Sequence, residues 1–398
     1  MAAMRSIHPF PARMAPDAIS TWLDELPNNA LVLDPMCGSG VVLRQAIAQG
    51  CRARGFDVDP LAVLMSRVWT SAADVSELNT CAAIVVQEAR RIRARYTALP
   101  VVRACPETKQ FIEYWFSEPQ RTALARLSLV LADQKGYVDQ NCFDALLLAL
   151  SRTIVTKHVG ASLAWDVSHS RPHRKREIND YDVEAGFLRS AARLAELLAS
   201  DRPDRAASVS QGDCRALNSV ADGEVDAIFT SPPYLNAIDY LRGHKLALVW
   251  MGYTIPHLRS IRAAAVGTEN TGWIKRKVKS DIAERIEDHL PNVAVLPIRH
   301  RRIVHKYASD SWGMLAEMKR VLKSDGCLVL VLADSVVRGV EVQSSSIFGW
   351  VAMQHGFRLR KREVRAIPEN KRYLPINSSS DALKRRMRSE IIQVFDVA

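Results

Sequence analysis

The densest chemistry in the chain lies in Ser231-Pro232-Pro233-Tyr234, directly after the apolar run Val225-Asp226-Ala227-Ile228-Phe229-Thr230. The serine hydroxyl and the Pro232 carbonyl are acceptors for the hydrogens of an amino group. The two prolines stiffen the loop, and Pro232 has no N–H to engage elsewhere. Tyr234 adds an aromatic face for a planar ring. An amino group conjugated to such a ring is a poor nucleophile, because its lone pair is delocalised. Accepting its hydrogens favours a pyramidal nitrogen whose lone pair points at an electrophile, and in-line positioning supplies much of the rest. This is chemistry for alkylating an exocyclic amine. The same residues also suit a bare polyproline loop, but their place after a buried strand argues against that.

A second set lies far upstream. Leu31-Val32-Leu33 leads into Asp34-Pro35-Met36-Cys37-Gly38-Ser39-Gly40, a strand that ends in a glycine turn. Glycines there let the backbone fold sharply against a ligand, and the helix opening after Gly40 points its amides back at the same place. In Arg54-Gly55-Phe56-Asp57-Val58-Asp59, Asp57 is placed to accept hydrogen bonds from a pair of ribose hydroxyls. Asp59 is expected to cap the helix that follows. Gly212-Asp213-Cys214 suits an adenine contact, with the Asp213 carboxylate accepting from the ring amino group. Near the N-terminus, Ile7-His8-Pro9-Phe10-Pro11-Ala12-Arg13 is held extended by its prolines.

The glycine turn resembles the Asp-Pro-Phe-x-Gly-x-Gly motif of amino-group DNA methyltransferases, with Met36 for the usual aromatic and Val41 for the frequent threonine. The N-terminal stretch looks like the His-Pro-Tyr-Pro-Ala-Lys element that precedes this motif in some of those enzymes. With Ser-Pro-Pro-Tyr added, the chain resembles the cytosine-N4/adenine-N6 DNA methyltransferase family over roughly residues 7–70 and 183–335. The resemblance implies S-adenosylmethionine as cofactor, held by His8, Pro11, Asp34, Pro35, Met36, Gly38, Gly40, Asp57, Asp213 and Cys214. It implies catalysis by Ser231, Pro232, Pro233 and Tyr234 on a base swung out of the duplex. Within the family a first-position serine goes with cytosine N4, and aspartate or asparagine with adenine N6. N4-methylcytosine in DNA is therefore expected, with adenine N6 as the alternative. An RNA base methyltransferase and a non-catalytic DNA-binding subunit are the further readings.

These residues need a frame. Strand, helix, strand over residues 31–59 is a βαβ unit, so a doubly wound, Rossmann-like, mostly parallel α/β sheet is expected. Residues 1–75 and 183–398 would form this methyltransferase domain, and Gly356 to Ile367 with Glu390 to Asp396 an antiparallel C-terminal hairpin. Residues 76–182 show helical spacing without strand alternation and are expected to be a helical insertion that faces DNA. A helix over Ala316 to Leu322, a turn at Lys323-Ser324-Asp325-Gly326 and a strand from Cys327 complete the pattern, while 254–306 reads as irregular and basic.

The chain of 398 residues carries a net charge of +11, which points to a polyanionic partner. The cations gather in three places: Lys157 to Arg176 (with Arg171, Arg174, Lys175 and Arg176), Lys275-Arg276-Lys277-Val278-Lys279, and Arg299 to Lys306 (with Arg301 and Arg302). These are expected to meet DNA phosphates, with 254–306 carrying target recognition because it follows the catalytic loop. At 48% hydrophobic the chain should bury a normal core, and no apolar run approaches the roughly 20 residues of a membrane span. Seven scattered cysteines without a Cys-x-x-Cys pair fit reduced thiols and a cytoplasmic protein. His169 and His173 have no third ligand spaced with them, so no metal is expected. No nuclease motif is present, which makes any restriction endonuclease a separate chain.

Overall fold

The computed structural model describes residues 6–9, 14–165, 167, 172–235, 240–268, 280–367 and 389–398. Its centre is a seven-stranded sheet: β1 Leu31–Asp34, β2 Arg52–Asp57, β3 Ser208–Gln211, β4 Val225–Thr230, β5 Leu322–Leu332, β6 Phe357–Ala366 and β7 Ser389–Val397. Across the sheet they run in the order 3-2-1-4-5-7-6. β1 to β5 pair in parallel, and β7 runs antiparallel to both β5 and β6. The sheet is thus Rossmann-like and mostly parallel with an antiparallel C-terminal pair, as expected.

Strands β2, β3 and β6 carry exposed polar or charged residues, whereas β1, β4 and the 328–332 end of β5 are covered on both faces and read as nearly continuous apolar runs. Their alternating residues divide between two cores. Leu31, Leu33, Ile228, Leu328, Leu330 and Leu332 point into one, while Val32, Ala227, Phe229, Val329 and Val331 point into the other. Helix α1 (Val41–Ala48) contributes to the second core. From β1 the chain travels outward to β2 and β3, then returns to β4 on the other side of β1. This order reversal sets the carboxyl ends of β1 and β4 next to one another, the usual place for a ligand crevice in such sheets.

Helix α2 (Pro60–Trp69) begins with Asp59, whose carboxylate accepts from the Leu61 amide at 2.9 Å, and with proline at its first turn. Between β2 and β3 lie α3 (Leu78–Arg91), α4 (Pro106–Trp115), α5 (Glu118–Gln134), α6 (Gln140–Arg152) and α7 (Val183–Ser200). All share one apolar cluster with α2 and with α8 (Leu241–Leu248), so these helices thicken a layer of the fold instead of enclosing a core of their own. A two-residue ladder, Ala164–Trp165 with His173–Arg174, interrupts the stretch expected to lack strands.

Two local expectations are corrected. Residues 254–306 are largely helical where described: α9 (Ile255–Ala264), α10 (Ser280–His289) and the start of α11 (Ile298–Val321). α11 is amphipathic, with Ile303, Val304, Tyr307, Ala308, Ser311, Met314, Leu315 and Met318 buried at three- and four-residue spacing. The arginines and histidines of its other face hide that period, so the sequence shows only its last turns as helix. Secondly, Lys323–Gly326 is not a free turn. β5 starts at Leu322 straight from α11, and the ladder shifts register between Val225, opposite Leu322, and Ala227, opposite Cys327, which leaves these residues as a bulge. Helix α12 (Ser344–Gln354) then covers the same face of the sheet as α11.

Candidate active site

The glycine turn leaves the end of β1 and the Ser231–Tyr234 loop leaves the end of β4. A buried hydrogen bond joins their roots, from the Thr230 hydroxyl to Asp34 Oδ1 at 2.8 Å. Asp34 Oδ1 also accepts from the Met36 amide at 3.1 Å, which shapes the first step of the turn. The chain then closes with Gly40 N on the Cys37 carbonyl at 2.7 Å. Gly40 has φ of +87°, and a Cβ there would lie 3.0 Å from Ser66 Oγ, so glycine is required on both counts.

Asp57 ends β2 and faces the turn. Its Oδ2 accepts from Gly38 N at 2.9 Å and its Oδ1 from Asp59 N at 2.9 Å. Gly55 earlier in that strand allows the close approach, since a Cβ would come within 2.5 Å of Leu43 Cδ1. The environment holds both acids towards their neutral forms. Burial, with the nearby Asp57 charge adding, raises Asp34 to about 7 against the pull of its Thr230 and Met36 hydrogen bonds. Burial and the Asp59 charge raise Asp57 to about 6, although the Asp59 and Gly38 amides favour the carboxylate. Two acids in this condition gain from an approaching cation. Asp59 is fully engaged: besides capping α2, its Oδ2 meets His244 Nδ1 on α8 at 2.5 Å, with both side chains buried.

In the loop after β4, Pro232 is buried and Ser231, Pro233 and Tyr234 are half-buried. The Ser231 and Tyr234 hydroxyls lie 3.2 Å apart. Tyr307 of α11 donates to the Pro233 carbonyl at 2.9 Å, and Ser335 to the Leu235 carbonyl at 2.7 Å.

At the end of β3, Gly212 N bonds to the Asp57 carbonyl at 3.0 Å, which brings the Gly212-Asp213-Cys214 corner beside the first acid. The Asp213 carboxylate is engaged by Arg215, with Nε to Oδ1 at 2.9 Å and Nη2 to Oδ2 at 2.6 Å. Burial alone would raise its pKa, but the Arg215 bonds more than reverse this and hold it below the usual carboxylate range. Arg215 Nη1 reaches Asp310 of α11 at 2.6 Å. Cys214 is buried, and that burial pushes its thiol up.

His8 is buried, and its Nε2 meets Ser151 Oγ of α6 at 2.9 Å, while Arg152 donates to the Ile7 carbonyl. Ile7 joins the apolar cluster of the helical layer, and the contacts of this segment are with α6, to which its histidine ring is committed. Pro11 lies outside the described residues.

The basic segments differ among themselves. Arg301 pairs with Glu287 at 3.1 Å, and His305 bonds to the same carboxylate at 2.7 Å. Lys306 is buried and paired with Asp310, while Arg302 is exposed. On the short hairpin, Arg174 lies over Tyr114 at 5.3 Å, and Lys175 and Arg176 each lie 5.4 Å from the Trp165 ring. Among the described residues, no carboxylate pairs with these three cations. Arg171, Lys275, Arg276 and Lys277 lie outside the described residues. Sequence reasoning missed Thr230, Arg215, His244 and Tyr307 as parts of the site. Of these only Thr230, abutting the serine motif, carried a local signal.

No family model matches the chain. The type II methyltransferase M.MvaI of Kocuria varians is 21% identical over 411 aligned positions, which span 97% of this chain and 89% of that protein. The chain is similar to a type II methyltransferase along nearly its whole length. The type II methyltransferase M.BsoBI of Geobacillus stearothermophilus is 21% identical over 281 positions, 62% of this chain and 52% of that protein. Among solved structures, a TehB-like SAM-dependent methyltransferase from Corynebacterium glutamicum overlays with a TM-score of 0.32 at 10% identity, across 97% of this chain and 89% of that one. At that score the overlay bears on neither fold nor function. No described helix is long and apolar enough to cross a membrane.

Proposed function

We propose that the protein is a DNA methyltransferase that moves the methyl group of S-adenosylmethionine to the N4 amino group of cytosine. The observation that carries this reading is the buried Thr230–Asp34 hydrogen bond, because it joins the root of a glycine-turn cofactor site to the root of an amine-accepting loop. The full-length similarity to M.MvaI supports it. The cofactor brings a sulfonium and an ammonium, and Asp34 and Asp57 are acids whose raised pKa values a cation would lower. The glycine turn takes its methionine part, Asp57 the ribose hydroxyls, and the Asp213 corner its adenine.

The target cytosine is flipped out, with its ring against Tyr234. Its amino hydrogens are accepted by the Ser231 hydroxyl and the Pro232 carbonyl, which turns the nitrogen lone pair towards the sulfonium methyl. The N–C bond forms as the C–S bond breaks, the thioether keeps the electron pair, and the nitrogen then sheds a proton to solvent. Arg174, Lys175 and Arg176, ordered on aromatic rings and with no carboxylate partner among the described residues, make the phosphate-facing surface of the 76–182 insertion. Residues 254–306 carry target recognition, with Lys275, Arg276 and Lys277 as phosphate contacts.

The test is mass spectrometry of nucleosides from DNA incubated with the purified protein and deuterium-labelled S-adenosylmethionine. Labelled N4-methylcytosine supports the whole reading. Labelled N6-methyladenine keeps the mechanism and discards the serine rule. No label in DNA while cofactor still binds would refute the DNA substrate and turn the question to RNA.

A further inference from the structure

Prolines 232 and 233 have no N–H, so the backbone of the Ser231–Tyr234 loop offers carbonyls there and little else. The two carbonyls are treated differently. Pro233 oxygen accepts the Tyr307 hydroxyl at 2.9 Å, whereas Pro232 oxygen meets no donor from the described residues. Tyr307 itself has no freedom to move: it is fully buried in α11 and packs edge-on against Phe348, with ring centroids 5.6 Å apart. Proline fixes φ on both sides of the 232–233 peptide, so the loop keeps few torsions. A hydrogen bond to Pro233 oxygen fixes the next peptide plane and removes most of what remains.

The same helix also fastens the cofactor side. One turn beyond Tyr307, Asp310 takes Arg215 at 2.6 Å, and Arg215 in turn grips Asp213. A single rigid element therefore holds the amine-accepting loop and the adenine-side corner at a set separation. In-line transfer is sensitive to that separation, since an error near 1 Å costs on the order of 10²-fold in rate.

We propose that Tyr307 is a positioning residue for methyl transfer: by occupying the Pro233 carbonyl it orients the loop so that the Ser231 hydroxyl and the Pro232 carbonyl converge on the target amine. The inference rests on the function proposed above. It is tested by comparing Tyr307→Phe, which removes only the hydroxyl, with Phe187→Leu, which opens a cavity in the separate apolar cluster of the helical layer and leaves the packing around Tyr307 intact. Single-turnover transfer of a labelled methyl group to DNA, the cofactor dissociation constant and the melting temperature would be measured for each.

Tyr307→Phe is expected to slow transfer by about 10- to 100-fold while cofactor affinity stays within about twofold. Phe187→Leu should lower the melting temperature at least as far and hold the transfer rate within about threefold. An unchanged rate in Tyr307→Phe, or rates in the two variants that fall together with melting temperature, would overturn the positioning role and leave the proposed function standing. No transfer by the unaltered protein would refute the function and this inference with it.

Discussion

Thr230→Val would test the hydrogen bond that joins the two halves of the site. Valine keeps the branched shape inside β4 and removes the hydroxyl that donates to Asp34 Oδ1 at 2.8 Å. Thr230 is fully buried and Asp34 is 3% exposed, so water does not replace the donor. A hydrogen bond to a charged group contributes about 1.5–3 kcal/mol and one to a neutral group about 0.5–1.5 kcal/mol. The difference between the centres of these ranges, about 1.2 kcal/mol, corresponds to roughly one pKa unit. The Asp34 carboxyl, at about 7 in the unaltered protein, should therefore titrate about one unit higher in the variant. For an acid whose folded pKa lies above its unfolded value, stability is fully present below the unfolded pKa and is lost as pH rises through the folded one. That loss runs from the ordinary carboxylate value of 3.8 to about 7 in the unaltered protein, and the substitution extends it upward. The variant should lose about 1 kcal/mol near pH ~5.5 and about 2 kcal/mol near pH ~9. Urea unfolding followed by both tryptophan fluorescence and circular dichroism would measure this, with coincident curves required for the comparison. Equal losses at the two pH values would refute the assignment of Asp34 as a buried, titrating partner of Thr230. The Asp34→Asn background supplies a control, since there the pH dependence of the substitution should vanish.

Three further outcomes follow from the same geometry. Asp57→Ala removes the acceptor for the Gly38 and Asp59 amides and should weaken cofactor binding by about tenfold or more by calorimetry, whereas Ser231→Ala and Tyr234→Ala should cut turnover about 10²-fold with cofactor affinity nearly kept; equal loss of affinity in all three would end that division of labour. Cofactor affinity should fall as pH drops through about 7 and about 6, because protonating Asp34 and Asp57 removes charges that a cationic ligand requires, and binding there should release protons into the buffer; affinity independent of pH across this window would show that neither acid meets the cation. Neutralising Arg174, Lys175 and Arg176, or separately Lys275, Arg276 and Lys277, should weaken DNA binding and reduce the slope of log affinity against log salt by about one for each phosphate no longer engaged; an unchanged slope would remove that segment from the interface.

The legible parts of this chain are those whose chemistry is local. Apolar runs ending at Asp34 and Thr230 announce strands, because a strand buried on both faces has to be largely apolar and its carboxyl end is where polar residues resume. A glycine at positive φ, as at Gly40, has few substitutes, so the turn it permits is visible in sequence. Helix α11 is legible only in its last turns for an opposite reason. Its period is regular, but Arg299, Arg301, Arg302 and His305 occupy the outer face, and a cluster of cations draws the reading towards a loop.

What holds the motifs in place follows a different logic. His244 meets Asp59 across 185 residues, Arg215 meets Asp310 across 95, and Tyr307 meets Pro233 across 74. A buried acid needs a donor, but many residue types on many elements supply one, so no spacing rule marks the residue that does. Catalytic groups are constrained by the substrate, whose geometry does not vary, and they converge on short patterns. Their supports are constrained only by the fold that surrounds them. Of the two tyrosines at this loop, Tyr234 could be found from its motif alone, while Tyr307 could be found only once α11 was seen to lie against the loop. Under the proposed function their substitutions should differ in the same sense: losing the Tyr234 ring would remove the surface proposed to meet the base, whereas losing the Tyr307 hydroxyl would leave every proposed catalytic atom present and displace it.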